Sequence, residues 1–177
     1  MQNIKIQIFQ EMNGKRFLKK NETASKILFV CLGNICRSPM AEGVFLKIIE
    51  REGKEREFEI DSAGTAAYHE GELPDSRMRK HASLRDYVLT HRSRPVKKED
   101  FDHFDYIIGM DEQNIRNLKQ LAGNPANIGK IYRMTDFCRH MTDNEVPDPY
   151  YGGDAGFEYV IDLLEDSCEG LYKFICE

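Results

Sequence analysis

The chain has 177 residues and a formal net charge of -5, enough for one well-packed domain and short for two. Hydrophobic residues make up 41% and charged residues 31%, which excludes a disordered or fibrous chain. The mild acidic excess gives no support for non-specific nucleic-acid binding, which wants a basic face, and disfavours a general attraction to an anionic membrane.

The five cysteines are an odd number, so a fully paired disulfide framework is excluded. No run approaches the roughly 20 apolar residues of a membrane span, and the first residues lack a signal-peptide pattern. The expectation is a cytoplasmic protein with free thiols.

Residues 1–25 read as an N-terminal extension. Ile4, Ile6 and Ile8 alternate with polar residues as in a half-exposed strand, and Asn13-Gly14 is a hairpin-type turn. The domain proper is read as residues 26–177. It opens on Ile27-Leu28-Phe29-Val30, a short apolar run suited to a strand buried on both faces. The segment Cys31–Ser38 follows as a loop, and Pro39 suits the first turn of a helix. Ala41, Val44, Phe45, Ile48 and Ile49 then recur at helical spacing.

A second strand is expected over 57–63, then a turn-rich loop over 64–74 and short helices at 76–81 and 83–87. Tyr106–Met110 reads as a third strand. Asp111 suits the cap of a helix over 112–121 that Gly123 ends. A fourth strand is expected over 128–134 and a long loop over 135–153. Phe157, Val160, Ile161, Leu164, Leu171 and Phe174 mark a final helix. The alternation implies an α/β fold: a four-stranded parallel sheet with helices on both faces.

The chemistry concentrates at Cys31-Leu32-Gly33-Asn34-Ile35-Cys36-Arg37-Ser38. A thiol ends a buried strand and an arginine starts a helix, the junction where open α/β sheets bind ligands. A helix start supplies unpaired N–H groups and the positive dipole end. Successive backbone N–H groups of a tight loop form a nest for an oxyanion. Gly33 permits the strained backbone such a loop needs, and the planar fork of Arg37 matches a phosphate. The same field favours a thiolate at Cys31. Ser38 is placed to hydrogen-bond it, and Asn34 to brace the loop. Leu32, Ile35 and Cys36 complete the phosphate-binding segment.

Two other readings compete at this point. Cys31 and Cys36 have the spacing of a zinc half-site, for which Cys138 and His140 are the compact second pair. Alternatively, Cys31 is a buried structural cysteine. An arginine beside a metal thiolate and the strand–loop–helix setting speak against zinc, so neither metal nor cofactor is expected.

The segment closely resembles the signature of the low-molecular-weight protein tyrosine phosphatases, and further blocks follow in family order. They are Asp61-Ser62-Ala63-Gly64, then Gly71, Pro74-Asp75 and Arg77, then His91-Arg92-Ser93-Arg94, in which Ser93 replaces the usual alanine. Tyr106-Ile107 through Met110-Asp111 and Asp148-Pro149-Tyr150-Tyr151-Gly152 complete the match.

The resemblance implies hydrolysis of protein phosphotyrosine and small aryl phosphates through a cysteinyl-phosphate. Cys31 would be the nucleophile, Arg37 the phosphate and transition-state ligand, and Asp148 the general acid and base. It makes Ser62 and His91 braces of Asn34, puts Tyr68 where many relatives carry tryptophan, and sets Tyr150 and Tyr151 beside the cleft. It also implies that Cys36 can form a reversible disulfide with Cys31.

The implied partner is a phosphotyrosine-containing protein, among them a tyrosine kinase, with phosphate or another oxyanion in the loop. Within the same fold the alternatives are an arginine phosphatase, whose relatives carry threonine where this chain has Ile35, and a thiol-dependent arsenate reductase. The latter uses further downstream cysteines, and this chain has none between Cys36 and Cys138. A non-catalytic phosphate-binding module would lack Cys31 or Asp148; both are present.

Overall fold

The computed structural model describes residues 23–177. The strand and hairpin turn expected around Ile4–Ile8 and Asn13-Gly14 lie outside the described residues. Four strands form one parallel sheet: β1 (Ser25–Cys31), β2 (Phe58–Gly64), β3 (Tyr106–Gly109) and β4 (Ile131–Arg133). Their order across the sheet is β2-β1-β3-β4. Leu28 of β1 faces Asp61 on one side and Ile107 on the other.

Residues Ile27 to Val30 of β1 are fully buried, which explains an apolar run without alternation. Ile27, Phe29 and Cys31 join one core with Phe45, Met40 and Leu164. Leu28 and Val30 join the other with Phe101, Phe104, Ile107 and Leu118. Each such side chain contributes about 1.5–3 kcal/mol by leaving water.

The first core lies under α1 (Arg37–Arg51), α2 (Ser76–Ser83) and a long C-terminal helix. The second lies under α3 (Asp100–His103) and α4 (Glu112–Ala122). A single turn, α5 (Pro125–Ile128), precedes β4, and the C-terminal helix is α6 (Asp154–Cys176).

Three sequence expectations change. Residues 83–87 are not a second short helix. The chain leaves α2 after Ser83, Asp86 takes φ 61°, and the Tyr87 hydroxyl reaches Glu165 at 2.8 Å. The fourth strand is shorter than 128–134, because Asn124 caps and Pro125 starts α5 instead. The loop over 135–153 opens with a 3₁₀ turn, Met134–Phe137. The sequence pattern predicts neither of the short helices α3 and α5.

The sheet order puts a switch point at β1: the chain leaves to β2 on one side and returns to β3 on the other. The crevice at the carboxyl ends of these strands is the ligand position of such sheets, and Cys31 is the last residue of β1. Gly64 ends β2 beside it. A Cβ there would sit 2.8 Å from the Leu32 carbonyl oxygen and 2.9 Å from that of Ala66, closer than real contacts allow. Only glycine lets the end of β2 lie against the loop.

The segment that leads to Asp148 is pinned from α6. One oxygen of Asp166 accepts the backbone N–H groups of Arg139, His140 and Met141, each at 3.0 Å. Burial alone would raise this carboxyl; the three N–H bonds outweigh it and hold it below the usual range. The stability it contributes is therefore present above the ordinary aspartate pKa and is lost as the pH falls through its lower folded value. Asp166→Asn is expected to cost about 1–3 kcal/mol at neutral pH. In thermal melts the gap from wild type should shrink on acidification; a gap constant with pH would refute this.

Candidate active site

Residues 32–36 turn between β1 and α1. Asn34 sits at their centre with φ 55°, a left-handed conformation that asparagine tolerates better than most residues. It is fully buried, so its amide must be satisfied. Its Nδ2 donates to Ser38 Oγ and to Ser62 Oγ, both at 2.9 Å. Its Oδ1 accepts the Arg94 backbone N–H at 3.0 Å and lies 3.0 Å from His91 Nε2. Ser62 Oγ in turn donates to Glu42 at 2.6 Å, and the other ring nitrogen of His91 faces Glu42 and Asp61 at 3.4 and 3.6 Å.

Burial pushes the Glu42 carboxyl up to about 7 against the pull of the Ser62 bond, and burial lowers His91. Both shifts favour uncharged forms beneath the loop.

Cys31 lies at the floor, 3% exposed. Its Sγ is 3.1 Å from Ser38 Oγ and accepts the Asn34 backbone N–H at 3.3 Å. These are the contacts that steady a thiolate. Cys36 is buried nearby and unbonded. Burial, then the charge of Asp75, pushes its thiol well up, so it stays protonated while Cys31 occupies the donor-rich position.

Arg37 is 2% exposed, and three acceptors hold its fork. Nη1 donates to Asp111 at 2.6 Å and to the Val146 carbonyl at 3.1 Å; Nη2 donates to Asp148 at 3.1 Å. Burial works against this charge, but Cys31, Asp148 and Asp111 outweigh it and push the guanidinium pKa up. Asp148 is fixed at both oxygens, since Oδ1 accepts the Tyr150 N–H at 3.0 Å.

These groups share a cavity of about 270 Å³. Cys31, Leu32, Gly33, Ile35, Cys36 and Arg37 line its base, and Tyr68, His69, Asp148, Tyr150 and Tyr151 line its walls. Arg77 supports the wall: it donates to the Tyr150 carbonyl at 3.0 Å, and its guanidinium lies 5.1 Å from the Tyr150 ring centre.

Among the described residues, the one set of three or more metal-ligating side chains that converges is Glu42, Asp61 and His91. The four zinc ligands considered from sequence do not come together.

Sequence reasoning missed several participants. Asp111 reads as a helix cap and as the end of a family block, with no role assigned at the site, yet one oxygen caps α4 through Asn114 while the other holds Arg37. His69, which lines the cavity, carried no signal beyond its place in a loop. Glu42 sits on α1 five residues past Arg37, a spacing that points it at the loop only once β2 is in place. Ser93, the departure from the family pattern, donates to the Gly33 carbonyl at 3.0 Å. Ser93→Ala should leave kcat within about fivefold, because one neutral hydrogen bond contributes about 1 kcal/mol. Steady-state kinetics test this; a hundredfold loss would contradict it.

A strand-end thiol inside a nest, an arginine fork and a carboxylate facing them across an aromatic-walled pocket define a cysteine-dependent phosphomonoesterase. The chain belongs to the low molecular weight phosphotyrosine protein phosphatase family, whose model matches residues 26–177. It is 42% identical over 153 residues to the low molecular weight protein-tyrosine-phosphatase YfkJ of Bacillus subtilis, covering 84% of this chain and 94% of that one. A crystal structure of an Entamoeba histolytica protein tyrosine phosphatase with Hepes in the active site superposes with a TM-score of 0.84 at 49% identity, covering 86% of this chain and 97% of that one. A drosophila arginine phosphatase structure superposes with a TM-score of 0.80 at 30% identity, covering 86% and 98%.

Proposed function

We propose that residues 26–177 hydrolyse protein phosphotyrosine through a phosphoryl group carried on Cys31. The observation that carries this reading is the shared cavity, with Cys31 and Arg37 at its base and Asp148 on its wall.

In the first step the Cys31 sulfur attacks phosphorus in line with the leaving oxygen. The S–P bond forms as the P–O bond breaks, and Asp148 gives its proton to the departing phenolate. Arg37 and the loop N–H groups hold the equatorial oxygens, where charge gathers. In the second step Asp148 takes a proton from water, which attacks phosphorus and releases phosphate and the Cys31 thiolate. Ser38, 3.1 Å from the sulfur, supports that thiolate as it leaves. Ser62 and His91 act through Asn34, by holding the loop in shape.

Substrate choice follows from depth and wall. Cys31 is 3% exposed, so the phosphate must stand well away from the peptide backbone, as on tyrosine and not on serine. Tyr68, Tyr150 and Tyr151 offer flat apolar surface to a ring. Ile35, 8% exposed in the same cavity, presents no acceptor to a phosphorylated guanidinium. This favours tyrosine over the arginine activity named for the drosophila relative.

A cytoplasmic setting is supported by five unpaired cysteines. No helix among the described residues is long and apolar enough to cross a membrane.

The test is turnover of phosphotyrosine, phosphoarginine and phosphoserine forms of one peptide. The expected order is phosphotyrosine first by at least about a hundredfold, given several contacts of about 1 kcal/mol each. Preference for phosphoarginine would transfer the assignment to the arginine enzymes.

A further inference from the structure

Beside the catalytic cavity lies a second one, of about 390 Å³, that the chemistry above does not use. The two share Leu32, Arg37 and Asp148, so they adjoin across the Arg37–Asp148 ion pair. Its far side is built by the first turns of α4 and by the 145–147 segment that leads to Asp148.

Its lining is unbalanced. Asp111, Glu112, Glu145 and Asp148 face two cations, Arg37 and Arg116. Arg37 pairs with both Asp111 and Asp148, and Glu112 is shared by Arg116 and Arg133. Glu145 is exposed and makes no ion pair among the described residues. Its one recorded bond is from the Glu112 backbone N–H at 3.3 Å, which leaves its second oxygen open to the groove.

We infer that this groove receives a basic side chain flanking the phosphotyrosine of a protein substrate, and that Glu145 sets that preference. The inference rests on the phosphatase reading and names the substrate class more narrowly.

Continuity and charge identify the occupant. A peptide whose phosphotyrosine fills the first cavity must leave over its rim, and Leu32, 41% exposed, is shared by both. Glu145 lies three residues from Asp148, at most about 10 Å of extended chain. A lysine or arginine one to three residues from the phosphotyrosine spans that distance. The Glu145 carboxylate, which no cation among the described residues pairs, disfavours an acidic side chain in the same place by like-charge contact.

The experiment uses phosphotyrosine peptides that differ only in lysine, alanine or glutamate at single positions on either side, with p-nitrophenyl phosphate as a substrate too small to reach the groove. Wild type should show about three- to tenfold higher kcat/KM for lysine than for glutamate at one or more positions. The ratio should fall as salt shortens the range of charge interactions below about 10 Å. Glu145→Gln keeps the acceptor for the helix N–H and should halve the preference or more; Glu145→Lys should abolish or reverse it. Arg116→Glu should enlarge it. All three should hydrolyse p-nitrophenyl phosphate within about twofold of wild type.

No charge preference in wild type, or the same preference in Glu145→Lys, would overturn the groove. Failure of wild type on p-nitrophenyl phosphate would instead overturn the phosphatase reading beneath it.

Discussion

Cys31→Ser lowers kcat/KM for phosphotyrosine peptide by roughly 10⁴-fold or more, with substrate still bound. The substitution exchanges one atom and keeps the volume, so the loop, Asn34 and Arg37 have no steric reason to move. On the proposed mechanism, what is lost is the nucleophile. A serine hydroxyl ionises far less readily than a thiol, and the loop's N–H groups cannot close that gap. Binding by Arg37 and the nest is retained, because neither depends on sulfur. The split between abolished turnover and surviving affinity separates a catalytic cysteine from a structural one. Measuring kcat/KM together with phosphate or phosphopeptide affinity checks it. Loss of both, with a lowered melting temperature, would point to a structural role.

Asp148→Asn is expected to cost about 10²–10⁴-fold in kcat on phosphotyrosine. The cost depends on the leaving group. Tyrosine's phenol has a pKa near 10 and needs a proton as it departs, whereas a nitrophenol leaves without help. The penalty should therefore be much smaller on p-nitrophenyl phosphate whenever cleavage of the ester limits the rate. The amide keeps the Tyr150 N–H bond and removes one of the two carboxylate partners of Arg37, leaving Asp111. A general loss through Arg37 would be uniform across leaving groups. A series of aryl phosphates distinguishes the two: a slope that steepens in the variant supports the proton donor, and parallel losses refute it.

The parts of the fold legible in sequence were those whose signal is local. The run Ile27–Val30 has no alternation because both faces of β1 are covered. Asp111 and Gly123 bracket α4 through a side-chain cap and a left-handed glycine, φ 69°. Elements decided by tertiary contact were missed or misjudged. Tyr87 falls in a short helix expected over 83–87 on weak periodicity, but lies outside any helix and bonds Glu165 on α6. The four residues of α3 are too few to show a period, although Phe101 and Phe104 are core residues.

The same division holds at the site. Residues 31–38 are contiguous, so the physics of a strand end, a tight loop and a helix start could be argued from the sequence itself. Asp148 lies more than a hundred residues away, among 30 acidic residues, and only family resemblance singled it out. Asp111, Glu42 and His69 reach the site by folding alone. No local spacing announces that a helix cap will also hold Arg37, or that Glu42 will meet Ser62 from β2.

The central claim is that the phosphoryl group passes through Cys31. Rapid quenching of the enzyme during turnover of a phosphotyrosine peptide, followed by mass spectrometry of its fragments, tests this most directly. The expected result is a transient phosphoryl adduct on Cys31, absent from Cys31→Ser, that decays as inorganic phosphate appears. Phosphate release by Cys31→Ser at the wild-type rate, or steady release by wild type with Cys31 never modified, would contradict it.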